Sequence, residues 1–323
     1  MTLEKTNLQR KLLKMFEHLS TKTIARGVFY FILSLTLVST LLPTTPDGML
    51  VQAQTDLSDI QVGVYNDVGA HDDCAIALYH WLAWMSSNVI WIDSESIYNG
   101  TLNSLDLVAF PGGSPGGFAA TVGLDGIELI RQFVANGGSY VGYCGGAMFG
   151  TDYLNLAHGY WSNDIPGMSG GTHLEEMVVN QASTGPDLSD EPESYEVLYW
   201  SSAYFSPTEE TSIIPIMSYT QNDEAAMFVV TYDYGTAFLC GPHPEFEEGS
   251  DRDGITLYDY LDDPDSEWDL LKKVTQWLID ESLATPPPNP LAGAGGILIL
   301  VGTTIVVVII GIAVFVIRRR SSL

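Results

Sequence analysis

The chain has 323 residues, 46% of them hydrophobic, with 40 acidic against 13 basic residues and a formal charge of −27. That apolar content suffices for one core of moderate size. The basic residues cluster before residue 27 and at Arg318, Arg319 and Arg320, leaving only Arg131, Arg252, Lys272 and Lys273 in between. The strongly acidic middle would repel phosphates, which excludes nucleic acid as a partner.

Residues 27–42 form an uncharged apolar run behind a basic segment, short for a spanning helix and suited to a signal-peptide core. Val51-Gln52-Ala53 has the small-residue pattern of a cleavage site, so residues 1–53 read as a signal peptide or, uncleaved, as a signal anchor. A first strand is expected at 60–65, then a helix over 75–85 capped by Asp72 or Asp73. Strands follow at 89–92 and 107–110. An amphipathic helix over 125–135 ends at Asn136-Gly137-Gly138, and 140–143 is the next strand. Strands alternating with helices predict an α/β fold, a doubly wound and mostly parallel sheet that binds ligands at the carboxyl ends of its strands.

Residues 151–235 are richer in turns, with strands expected at 176–180, 195–200, 213–219 and 226–232, several of them antiparallel. A closing helix over 268–283 completes a domain spanning 58–284. Residues 285–294 are a Pro/Gly-rich spacer. Residues 291–317 carry no charge and are dense in Ile and Val, and a membrane helix is assigned to 295–317. The basic tail 318–323 then stays in the cytoplasm by the positive-inside rule. The expected topology is a single-pass cell-membrane protein with its acidic domain outside, or two-pass if the N-terminal segment is retained.

Three segments carry candidate chemistry. Gly142-Tyr143-Cys144-Gly145-Gly146 ends a β-prone stretch, and its glycines permit a sharp strand-to-helix turn that exposes the sulfur near a helix N-terminus. Such a helix end favours a thiolate and offers backbone N–H groups to an oxyanion. Pro111-Gly112-Gly113-Ser114-Pro115-Gly116-Gly117 follows a strand and lets the backbone approach a carbonyl closely. Downstream, His243 and Glu245 in Gly241-Pro242-His243-Pro244-Glu245 are two apart, pointing the same way in an extended segment, as a base and its orienting carboxylate would.

With these motifs the chain resembles the class I glutamine amidotransferase-like superfamily, and within it the biotin-protein ligase N-terminal domain family. The resemblance covers residues 60–247 and is strongest in Val64-Tyr65-Asn66-Asp67, Phe110-Pro111-Gly112-Gly113 and 137–146. It implies a flavodoxin-like fold, with Cys144 as nucleophile, His243 as base and Glu245 orienting it. It also implies an oxyanion site from the backbone after Pro111, at Gly112 and Gly113, and from the amide of Gly145. The Gly-Arg-Gly-Arg signature of biotin ligases is missing, so ligase activity is not carried over.

Three cysteines outside the cytoplasm leave one unpaired; Cys74 and Cys240 read as two buried thiols or, less simply, as a disulfide. His71-Asp72-Asp73 fits helix capping better than a metal, His158 and His173 read as loop residues, and the acidic stretches at 251–254 and 262–265 as solvated loops. No metal and no cofactor are expected. The leading reading is a membrane-anchored extracellular Cys-dependent hydrolase for an amide, peptide or related acyl substrate, whether small molecule or peptide. The alternative is a non-catalytic surface binding or scaffold domain that retains the fold.

Overall fold

The computed structural model describes residues 55–86, 88–165, 170–208, 211–247, 251–263 and 265–284. The N-terminal segment 1–53, the spacer 285–294, the apolar run 295–317 and the tail 318–323 lie outside the described residues. Among the described residues no helix is long and apolar enough to cross a membrane.

Five strands form the parallel part of the sheet, β1 (Gln61–Tyr65), β2 (Asn88–Ile92), β3 (Leu107–Phe110), β4 (Ser139–Tyr143) and β11 (Gly235–Cys240), in the spatial order β2-β1-β3-β4-β11. Helices α1 (Asp72–Met85), α2 (Ser94–Tyr98), α3 (Pro115–Ala135), α4 (Gly145–Asp152) and α5 (Trp268–Ala284) cover it. Side chains alternate across a strand, and here both sides are buried. Val62, Val64, Leu107, Ala109, Val141 and Tyr143 pack with Leu78 and Trp81 of α1 and with Trp268, Val274 and Leu278 of α5. Tyr65, Val108, Phe110, Tyr140 and Leu239 face the other way, onto Phe118 and Ile130 of α3 and Phe149 of α4. Burial on both faces explains why these strands read as continuous apolar runs.

Beyond β11 the sheet turns antiparallel through β10 (Ala225–Tyr232), β9 (Ile214–Tyr219), β6 (Thr172–Val179) and β7 (Ser194–Trp200). The sheet is therefore mixed, with parallel order confined to its site-bearing part. Two short strands that the sequence did not suggest, β5 (Gly159–Ser162) and β8 (Tyr204–Pro207), pair with each other.

Local departures from expectation have local causes. Helix α3 begins ten residues earlier than its amphipathic stretch, because Ser114 caps it through Gly117 N at 3.1 Å and Pro115 fits the first turn. Gly123, at φ 68°, kinks it where the two halves join. At α1 the cap position is held by His71 without a side-chain bond, and Asp72 and Asp73 lie in the first turn instead, where their charge suits the helix dipole. His173 is a strand residue of β6 rather than a loop residue.

The acidic stretch at 251–254 is exposed at Asp251, Arg252 and Gly254 but not at Asp253. Asp253 is buried, accepts the backbone N–H groups of Glu247 and Ile255 at 3.1 Å each, and burial pushes its pKa up to about 6. Beside it Arg252 lies over the Trp268 ring at 4.1 Å. Trp268 is buried against Trp81, and its Nε1–H donates to the Glu245 carbonyl at 3.2 Å. The first helical residue of α5 thus braces the loop after β11. Trp268→Ala is expected to lower the stability of the full chain by about 3–5 kcal/mol, read as a shifted denaturant midpoint.

Candidate active site

Strand order reverses between β1 and β3: the chain runs from β1 outward to β2, then crosses back to β3 on the other side. The crevice at such a switch point, outside the carboxyl ends of the strands, is where open α/β sheets bind ligands. Two loops meet there. Gly112 O accepts from His71 N at 2.9 Å, and Ser114 N donates to Gly69 O at 2.8 Å, so the segments after β1 and β3 are tied together.

Cys144 stands one residue beyond β4, at the N-terminus of α4, with φ 48° and ψ −111°. A non-glycine residue there is strained, by about 1–3 kcal/mol. Its amide donates to Cys240 O at 2.7 Å, which extends the β4–β11 ladder into the turn. Gly145 and Gly146 are required by proximity. A Cβ on Gly145 would lie 2.1 Å from Gly113 O, and one on Gly146 would lie 2.2 Å from Phe110 O. Gly113 itself has φ 154° and sits against Gly69 and Ala70, so the two glycine loops interlock.

The segment after β11 supplies the other half. His243 Nδ1 donates to Glu245 Oε1 at 2.8 Å, with the two side chains 1% and 0% exposed. Burial alone would lower the imidazole pKa. The Glu245 carboxylate outweighs it, helped by the sulfurs of Cys144 and Cys74, and the pKa is held well above the usual histidine value. Cys144 and His243 line the same pocket. The expected residues Cys144, His243 and Glu245 thus meet, although about a hundred residues separate the first from the others. Gly113 abuts Gly145, and Gly112 lies against the imidazole: a Cβ there would be 2.7 Å from His243 Cε1.

Two further groups stand at the site. Cys74, on the first turn of α1, has its sulfur within 4.8 Å of an imidazole nitrogen of His243; desolvation raises its pKa and His243 opposes the rise. Trp200, at the end of β7, has its ring 5.5 Å from that of His243 and 4.9 Å from that of His71. The same strand holds His243, whose N–H donates to Leu198 O at 3.0 Å. Both contacts join segments distant in sequence, and the one local signal is that β7 stops at Trp200, ahead of Ser201 at φ 48°.

A pocket of about 380 Å³ opens over these groups, lined by Gly69, Ala70, His71, Cys74, Gly113, Ser114, Cys144, Trp200, Ser201 and His243. No Lys, Arg, Asp or Glu is among its walls. All three cysteines are free, with Cys74 and Cys240 buried and Cys144 partly accessible. A mild thiol reagent at neutral pH is therefore expected to modify Cys144 before the other two. His243→Ala should slow that reaction, and Glu245→Gln should slow it less. Peptide mapping after brief labelling checks the order.

Comparison with known proteins agrees in part. Residues 60–174 match the family model described as biotin-protein ligase, N terminal. A biotin–protein ligase of Schizosaccharomyces pombe is 29% identical over 168 residues, which is 46% of this chain and 27% of the ligase. An uncharacterised protein of Chlamydia muridarum is 27% identical over 157 residues, 43% of this chain and 60% of that protein. The chain therefore spans about a quarter and three fifths of these relatives' lengths. Among solved structures, PurLQS from Thermotoga maritima aligns at 16% identity over 68% of this chain and 98% of that one, with a TM-score of 0.48. A putative ThuA-like protein from Bacteroides uniformis aligns at 15% identity over 60% and 87%, with a TM-score of 0.42. The part of the chain that carries the Cys144 turn thus matches the biotin-protein ligase N-terminal family, while His243 and Glu245 lie beyond the matched residues.

Proposed function

We propose that this protein is a membrane-anchored extracellular hydrolase with a Cys-His-Glu triad, built on a flavodoxin-like, class I glutamine amidotransferase-like domain and acting on an amide, peptide or related acyl bond. The observation that carries the reading is the convergence on one pocket of a strained, accessible thiol and a buried, carboxylate-oriented imidazole. His243 takes the Cys144 proton while Sγ forms a bond to the substrate carbonyl carbon. The oxyanion is stabilised by the backbone around Gly113 and Gly145. Collapse breaks the bond to the leaving group, which receives the proton from His243. Water then hydrolyses the thioester, with His243 as base, and the thiol is restored.

The pocket walls define the acyl group. Its only ionisable members are histidines and cysteines, and Trp200 forms one side, which favours a neutral acyl chain with an apolar or aromatic part. The scarcity of charged anchors also supports the second reading, a surface binding or scaffold domain with no turnover. A panel of neutral p-nitrophenyl esters and anilides separates the two. Hydrolysis by the full chain that falls at least about a hundredfold in Cys144→Ala is expected, as removal of a triad member is severe. Equal rates for both proteins would leave only the binding domain.

The chain enters and leaves the domain on one edge. Thr55 accepts from Asp280 on neither atom but is held on both sides by α5: its N–H donates to Asp280 Oδ1 at 3.0 Å and its carbonyl accepts from Gln276 Nε2 at 3.0 Å. A second cavity on that edge is lined by residues immediately before β1, β3 and β4, namely Ile60, Asp106 and Gly138, so the edge lies at the amino ends of the strands. The reactive pocket lies at their carboxyl ends and, in the anchored protein, faces away from the bilayer. Protease added to intact cells is expected to remove the acidic domain and leave a short protected C-terminal stub. Protection of the whole domain would reverse the orientation.

A further inference from the structure

The triad leaves two buried groups unused. Cys74 is 2% exposed, lines the pocket and lies beside the imidazole, yet it has no step in the proposed hydrolysis. Glu245 spends Oε1 on His243, and its Oε2 is fully buried without a hydrogen-bond partner among the described residues. An unpartnered carboxylate oxygen in a core calls for an explanation. The sulfur of Cys74, an imidazole nitrogen of His243 and a carboxylate oxygen of Glu245 all lie within 4.8 Å of one another, and all three residues are buried. One thiolate, one imidazole and one carboxylate make a donor set that suits a borderline-soft ion, with bonds of about 2.0–2.3 Å and a fourth position left open.

We propose that Cys74, His243 and Glu245 form a binding site for a thiophilic divalent cation of the zinc class. The ion takes the place of the His243 Nδ1 proton and so breaks the His243–Glu245 hydrogen bond; that proton and the Cys74 thiol proton leave to solvent, and Glu245 Oε2 gains the partner it lacks. Because His243 then serves as a ligand, it no longer accepts the Cys144 proton. On the hydrolase reading, on which this consequence alone rests, metal loading is a reversible off-state. Cys74 is what makes this possible. Its place on the first turn of α1 is fixed by Gly112, where a Cβ would lie 2.8 Å from its sulfur, so thiol and imidazole are held against one backbone position. Cys144 stands outside the ligand set and remains thiol-bearing when the ion is bound.

The test uses the reduced full chain with Co²⁺ as the spectroscopic probe and Zn²⁺ as competitor. A near-ultraviolet thiolate-to-cobalt charge-transfer band should appear and be bleached by Zn²⁺. Cys74→Ser should abolish the band and weaken Zn²⁺ binding at least about tenfold, while Cys144→Ser keeps it. Circular dichroism checks that each variant is folded. Should Cys74→Ser fail to fold, His243→Gln, which leaves all three thiols in place, should likewise weaken Co²⁺ binding at least about tenfold. A band that survives Cys74→Ser, disappears in Cys144→Ser or never forms overturns the proposal. These outcomes are independent of turnover, so loss of the hydrolase reading through the Cys144→Ala assay would leave the metal site standing, and the reverse.

Discussion

Everything at the reactive end depends on the backbone of one residue. Cys144 is held at φ 48° and ψ −111° between a strand and a helix that would each prefer ordinary angles. Such strain persists only where the surroundings over-determine it. Here its N–H is tied to Cys240 O, the following Gly146 N–H donates to Pro111 O at 3.1 Å, and Met148 N donates to Cys144 O at 3.1 Å to begin the helix. The glycine walls add a steric lock, since Gly145 has backbone of Gly113 where its side chain would be. Three consequences follow from one turn: the sulfur is presented above the sheet edge, the β3 and β4 loops are pressed together, and β4 is held in register with the strand that leads to His243.

The second dependence is electrostatic. A protein of formal charge −27 places its two most consequential ionisable side chains, His243 and Glu245, under cover. Burial disfavours charge on both, and a coupled pair offsets it only with good geometry. The 2.8 Å hydrogen bond supplies that on one carboxylate oxygen and leaves the other bare. Removing one partner would strand the other in the core, so the pair is retained or lost as a unit. Trp268, whose indole N–H holds the Glu245 carbonyl, and β7, whose Leu198 carbonyl holds the His243 amide, fix the backbone on either side.

What the sequence disclosed follows from which interactions are local. The strand at 107–110 and the glycine turn around Cys144 are written in contiguous residues, and the structure places them as read. Helix α3 was half hidden because Pro115-Gly116-Gly117 resembles a loop unless Ser114 is recognised as its cap. Strands β5 and β8 are four residues each and hold only in each other's company and that of β10, so no period announces them. Cys74 and Trp200 were not assigned as site residues, for a different reason. Cys74 was read rightly as a buried thiol, but its partner lies 169 positions away on the far side of the antiparallel strands. Trp200 reaches the imidazole only because those strands return β7 to the loop after β11. The motifs around Cys144, His243 and Glu245 could be read from contiguous residues, and their surroundings required the fold.

The contrast between shell and pocket bears on what such a hydrolase would accept. Acidic residues dominate the chain between its basic ends, and the field they create is negative over distances comparable with the Debye length, about 8 Å at physiological ionic strength. The pocket walls contain no lysine or arginine to reverse that field locally. A substrate bearing a free carboxylate near its scissile bond would meet repulsion on approach and find no guanidinium or ammonium on arrival. A neutral amide or ester meets neither difficulty, and its acyl chain finds Trp200 and the glycine-lined floor. The same field draws divalent cations toward the domain, while the buried sulfur, imidazole and carboxylate select among them by softness. On the two proposals, substrate neutrality and cation sensitivity would be two results of one charge distribution.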